Sequence, residues 1–146
     1  MIAATWASAE ISMDYANAFA LNALGGKSLQ DELPVSLRPK IAFFRKAHNR
    51  LPALAGLKEA GLALATRMTA LRDKRHDAIH GFAATNMPDG SRNITRMVFE
   101  GAWLSSKVTN YSLLELLELS EACTDLASDL TDHVSAIAEL RHNHLG

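Results

Sequence analysis

The stretch LKEAGLALATRMTALRDKRHDAIH, residues 57–80, decides how this chain is interpreted. Its apolar residues recur at alternating steps of three and four, the spacing of one face of an α-helix. The face consists of Leu57, Gly61, Leu64, Met68 and Leu71, and it continues through Arg75, Ala78 and Phe82. The pattern predicts a long helix over residues 54–80, with an arginine at a position where the spacing asks for leucine.

The end of this predicted helix is crowded with ionisable side chains. Seven of the ten residues from 71 to 80 are ionisable, among them Arg75, His76 and His80. An arginine on an apolar face is expected to reach solvent past the helix end, pair with a carboxylate, or meet an anion or a second chain, because burying its charge alone is costly. His80 directly precedes Gly81, so we expect it to be the last helical residue. There the unpaired carbonyl groups favour the imidazolium form.

Length and composition indicate one ordinary globular domain. The chain has 146 residues, of which 48% are hydrophobic, and a formal net charge of −1, so its overall charge does not identify a partner and any contact with nucleic acid would depend on a few local residues. The single cysteine, Cys123, is expected in the core and excludes a disulfide framework within one chain. The N-terminus lacks the pattern of a signal peptide, and Lys58 and Glu59 interrupt the longest apolar stretch. We therefore expect a cytoplasmic protein without a membrane segment.

The rest of the sequence predicts three further helices. They cover residues 5–24, residues 36–51 and residues 113–141, and the last begins with a capping box formed by Ser112 and Glu115. Two extended segments flank the turn Pro88–Gly90. The expected fold class is all-α: one domain over residues 1–146, an antiparallel bundle of four main helices, two of them long, with a small β-hairpin or extended loop between the third and fourth.

The order Arg75-His76-Asp77-Ala78-Ile79-His80 resembles the signature of the HEPN family, the higher eukaryotes and prokaryotes nucleotide-binding domains. Members of that family are compact α-helical bundles with an arginine, four to six residues and a histidine near the end of a long helix. Matched position by position, Arg75 corresponds to the family arginine, His76 to its polar neighbour and His80 to the histidine.

The resemblance implies a metal-independent endoribonuclease, of the toxin type in many small members, without a cofactor. In that interpretation His80 transfers protons, Arg75 binds the phosphate, and His76 orients the phosphate or His80. It also implies a homodimer and a nucleotidyltransferase-like antitoxin as partner. Four further cations are interpreted as an RNA-binding rim: Arg72, Lys74, Arg92 and Arg96.

The spacing of the two motif residues supports the dimer. At about 100° per residue, positions 75 and 80 point roughly 140° apart on a straight helix, so they do not reach one phosphate unaided. The last helical turn could be loosened, the long arginine side chain could reach round, or a second chain could supply one residue. We therefore predict a homodimer, or a pairing with another subunit, with the segments 75–80 at the interface.

Two alternatives stay open. His76 and His80 have the i, i+4 spacing of two metal ligands, and Asp73 or Asp77 could join them, but no second clear ligand pair is present. The other alternative is a non-catalytic helical binding or dimerisation module. Five aromatic side chains are interpreted as core residues: Trp6, Phe43, Phe44, Phe99 and Trp103.

Overall fold

The fold was analysed in a computed structural model that describes residues 2–80 and 83–145, apart from the side chains of residues 77–80, 83, 141, 144 and 145. The described part contains four α-helices and three β-strands. The helices are α1 (Ile2–Ala23), α2 (Leu37–Arg50), α3 (Lys58–His80) and α4 (Leu113–Leu145), and the strands are β1 (Ala83–Asn86), β2 (Arg92–Glu100) and β3 (Trp103–Tyr111).

The four helices enclose one apolar core. Helix α1 packs along α4, and α2 and α3 close the bundle. The predicted core residues Trp6, Phe43, Phe44 and Cys123 are buried, as are Met68, Leu126 and Leu130. Pro52 begins a short 3₁₀ turn, Pro52–Leu57, so α3 starts four residues later than predicted because proline and the following turn separate it from α2.

The predicted helix ends are confirmed at two places. Gly25, with φ of 89°, ends α1 in a left-handed conformation that suits glycine. At the start of α4, the Glu115 backbone N–H donates to Ser112 Oγ at 3.0 Å, and the Ser112 N–H donates to the Glu115 carboxylate at 2.8 Å. This reciprocal pair is the capping box that the sequence predicts.

The prediction of an all-α fold is wrong, because the segment between α3 and α4 forms a three-stranded antiparallel sheet in the order β1-β2-β3. Strands β2 and β3 pair over their full length, from Arg92 opposite Tyr111 to Glu100 opposite Trp103. The predicted hairpin around Pro88–Gly90 corresponds to β1 and the start of β2. Strand β3 lies where the sequence analysis assigned no element.

The sheet has two different faces, because opposite residues of an antiparallel pair point to the same side. The inner face contains Ile94 and Tyr111, which are buried against the bundle. The outer face of β2 and β3 consists of Asn93, Thr95, Met97, Phe99, Leu104, Ser106, Val108 and Asn110. Phe99 on the outer face and Trp103 on the inner face are each 80% exposed, so their prediction as core residues is wrong: the sheet extends past the helices that would cover them.

Candidate functional site

The side chain of Arg75 turns from α3 toward α1. Its Nη2 lies 3.3 Å from Oε1 of Glu10, and its Cζ lies 5.0 Å from the centroid of the Trp6 ring. The Trp6 indole N–H donates to the same Glu10 oxygen. Only 12% of the Arg75 side chain is exposed. The guanidinium is therefore held by an ion pair and a cation–π contact within one protomer. Of the partners that the sequence analysis considered for Arg75, the structure shows a carboxylate.

Helix α4 lies close to this charge through Cys123. Burial raises the pKa of the Cys123 thiol, and the nearby positive charge of Arg75 acts in the opposite direction. The Nε of Arg75 is buried without a hydrogen-bond acceptor among the described residues. The Arg75 contacts with Glu10 use Nη2, so Nη1 takes no part in them. Arg75 thus joins α1 and α3 near α4 with part of its donor capacity unused.

The other two motif residues lie on the same helix. Helix α3 continues to His80, as predicted, and the segment from Arg75 to His80 is regular α-helix, so the last turn is not loosened. His76 is exposed. The side chain of His80 lies outside the described residues, and so does that of Asp77. The pairing of Arg75 with His80 therefore stays a prediction.

The four cations of the predicted RNA-binding rim are divided between α3 and β2. On α3, Arg72 Nε lies 3.5 Å from Asp73 Oδ1, and Lys74 lines a pocket of about 210 Å³ together with Glu115 and Glu118. On β2, Arg92 and Arg96 share the inner face of the sheet, where Lys107 stands directly opposite Arg96. The strand pairing thus adds Lys107 to the basic residues of this face, which the sequence analysis missed because it assigned no strand there.

A second polar group, missed by the sequence analysis, lies inside the bundle. Nε2 of His48 on α2 is 2.8 Å from Nε2 of His133 on α4, and both residues are buried. Nδ1 of His48 lies 2.8 Å from the Phe44 carbonyl oxygen, which only accepts, so this nitrogen carries the proton. His48 Nε2 is then the acceptor, and His133 donates its Nε2–H.

Burial favours the neutral form of both of these histidines. It lowers the pKa of His48, and it lowers the pKa of His133 from its ordinary value of 6.5 to about 4, with the neighbouring His48 adding to that effect. On α3, Gly61 lies so close that a Cβ atom there would overlap the His48 ring. Both histidines lie on the buried faces of their helices. A histidine at an apolar helical position is the only feature of the sequence that could have predicted this contact.

Searches for a metal site and for a membrane-spanning helix among the described residues, and comparisons with known proteins, gave no match. Among the described residues, no group of three or more His, Cys, Asp or Glu side chains is arranged to hold a metal ion. Within the same part of the chain, no helix is both long enough and apolar enough to cross a bilayer. No protein family, curated protein or solved structure matches the chain.

Proposed function

We propose that this chain is a metal-independent endoribonuclease of the HEPN type, in which Arg75 binds the scissile phosphate and His80 transfers protons. The observation that supports the proposal is the fixed Arg75 guanidinium, held by Glu10 and Trp6 five residues before the end of α3. A guanidinium that is held in advance loses little side-chain freedom when a phosphate binds, and Nη1, which the Glu10 contact does not use, is the atom we propose for the phosphate.

The chemistry needs two groups. A histidine takes the proton of the RNA 2′-hydroxyl while that oxygen attacks phosphorus, and the bond from phosphorus to the 5′-oxygen breaks with a proton delivered to the leaving oxygen. The products are a 2′,3′-cyclic phosphate and a 5′-hydroxyl. A guanidinium on the non-bridging oxygens stabilises the negative charge that develops. Arg72, Lys74, Arg92 and Arg96 are proposed to bind the RNA backbone.

The proposal requires two protomers. With α3 regular through His80, residues 75 and 80 of one chain point roughly 140° apart, and Arg75 faces α1. We therefore propose that the arginine of one protomer acts with the histidine of another in a homodimer. A nucleotidyltransferase-like antitoxin is proposed as a further partner on the family resemblance alone.

One specific observation favours a second candidate, the non-catalytic helical module. The Arg75–Glu10 ion pair closes within one protomer, and an arginine already neutralised by a carboxylate serves the packing of α1 against α3. In this candidate Arg75 stabilises the bundle and RNA is not cleaved.

The two candidates are separated by incubating purified protein with total RNA in EDTA. Arg75→Lys keeps a positive charge beside Glu10 but loses the Nη1 donor proposed for the phosphate, and His80→Ala removes the proton carrier. We expect both variants to lose cleavage while their Tm stays near that of the wild type. Arg67→Lys is the matched control, because Arg67 also lies on α3 and pairs with a carboxylate, that of Asp129.

The end groups of the products give a second readout. Fragments ending in a 2′,3′-cyclic phosphate that depend on Arg75 and His80 support the enzyme. A wild-type protein that cleaves no RNA, or cleavage that survives both substitutions, contradicts the enzyme and leaves the helical module.

A further inference from the structure

The outer face of β2 and β3 is an uncharged, partly apolar surface that no described element of the chain covers. Its eight residues include no acid or base, and Phe99, Leu104 and Val108 are each more than half exposed, at 80%, 55% and 61%. Met97 on the same face is 39% exposed. Soluble proteins rarely expose contiguous apolar patches of this kind without a partner.

The pairing pattern explains why this surface lacks support from its own chain. In the described part of the chain, β1 pairs with residues 92–95 of β2, and beyond that point β2 and β3 pair only with each other, as a two-stranded ribbon. A two-stranded ribbon is marginally stable alone in water, and apolar side chains on it need a second layer. Met97, Phe99 and Leu104 all lie on this unsupported part.

From this surface we infer that the outer face of β2 and β3 packs against the same face of a second copy of this chain. An interface around a two-fold axis brings identical surfaces together, so a charge close to the axis would meet its own copy. The outer face has no charge to repel itself. The inner face of the ribbon differs, because it is charged: Arg96 stands opposite Lys107, and Glu100 lies on the same face nearer the tip.

The area of the outer face determines the dimer affinity that we expect. Two nine-residue strands give a surface of roughly 25 Å by 10 Å. Two such faces have a flat area of roughly 500 Å² in total, below the roughly 1,000 Å² of stable specific interfaces, so the contact belongs to the weak, transient class. We therefore expect a reversible dimer with a Kd in the micromolar range, with Phe99 as its main apolar contact.

Two exposed aromatic residues at the ribbon tip provide a matched test. Phe99 and Trp103 are equally exposed, but they lie on opposite faces. In sedimentation velocity over a concentration series of the full chain, we expect the wild type to dimerise and Phe99→Ser to raise the dimer Kd about tenfold or more. Trp103→Ser is expected to leave the Kd unchanged. Circular dichroism checks that both variants stay folded.

Disulfide trapping tests the same face independently. Ser105 and Ser106 are exposed neighbours on β3, with Ser106 on the outer face and Ser105 on the inner face. Under mild oxidation Ser106→Cys is expected to form a covalent dimer and Ser105→Cys is not, while the buried Cys123 stays unreactive. A wild type that is monomeric throughout, equal effects of the two aromatic substitutions, or preferential cross-linking at position 105 overturns the inference. The tests contain no RNA, so they do not depend on cleavage. A wild-type dimer whose Kd Phe99→Ser leaves unchanged overturns this inference but not the homodimer proposed through segments 75–80.

Discussion

At the scale of single residues, the value of an ion pair depends on how much water reaches it. Arg75 and Glu10 have 12% and 28% of their side chains exposed, whereas Arg67 and Asp129 have 40% and 51%. The exposed pair is the shorter of the two, at 2.7 Å against 3.3 Å. Water screens the exposed pair, so the longer and more buried contact is expected to matter more for stability.

Removing the carboxylate of Glu10 tests this ranking. We expect Glu10→Gln to lower the free energy of unfolding by about 1–3 kcal/mol, because it leaves the Arg75 charge largely buried without a counter-charge. The matched control Asp129→Asn is expected to change stability by less than about 1 kcal/mol. Urea denaturation of both variants gives the comparison. Equal effects in the two variants would contradict the role of burial.

The pair formed by His48 and His133 predicts how stability depends on pH. In the unfolded chain His133 binds a proton near its ordinary pKa of 6.5, but in the fold its pKa is about 4. Lowering the pH from 7 to 4 therefore favours the unfolded chain, by on the order of 2–3 kcal/mol from this residue. The stability contribution is complete above pH 6.5 and declines as the pH falls below it.

This pH dependence is measured as Tm in a series of buffers. His133→Gln keeps an amide N–H that can donate to His48 but cannot take up a proton in this range. We expect its Tm to decline less than that of the wild type between pH 7 and pH 4. A parallel decline in both proteins would show that other groups cause the acid sensitivity.

Arg75 also marks how far the sequence predicts the candidate site. An arginine at an apolar helical position indicates a partner, and the structure supplies Glu10, which is 65 residues away in the chain. Helical spacing relates residues only along one helix, so it does not identify a partner on another helix. The same reason hid the contact of His48 with His133.

At the scale of elements, the capping box formed by Ser112 and Glu115 fixes where α4 begins. We expect Ser112→Ala to destabilise the protein by about 1 kcal/mol, because the Glu115 backbone N–H loses its acceptor. Ser135→Ala is the matched control on the same helix, since the Ser135 hydroxyl only donates to the Thr131 carbonyl one turn earlier. Thermal unfolding compares the two variants, and an equal loss of stability in both would contradict the capping role.

The elements also differ in how well the sequence predicts them. The helices were predicted within a few residues at most ends, because apolar spacing and capping residues are local signals. Strand β3 was missed because both its faces are largely exposed, so its side chains do not follow the alternation of a half-buried strand. Phe99 and Trp103 were assigned to the core because their apolar character does not reveal whether another layer covers them.

At the scale of the whole molecule, we expect the helical bundle to fold without the projecting ribbon. Arg96 and Lys107 stand opposite each other, so a two-residue Asn-Gly turn between them replaces residues 97–106 without altering the register below. We expect the shortened protein to keep its helical circular dichroism and a Tm within a few degrees of the wild type, and to lose self-association through the outer face of β2 and β3. A large drop in Tm in monomeric protein would show that the ribbon supports the bundle.

The close approach of Gly61 to His48 links two positions that are far apart in the chain. The His48 imidazole fills the volume that any side chain at position 61 would need. The rings of Phe44 and His133 also pack against this imidazole. Gly61→Ala alone therefore creates an overlap, although alanine is the better helix former. A smaller residue at position 48 would relieve the overlap. We therefore expect a substitution of Gly61 to be tolerated only together with a substitution of His48.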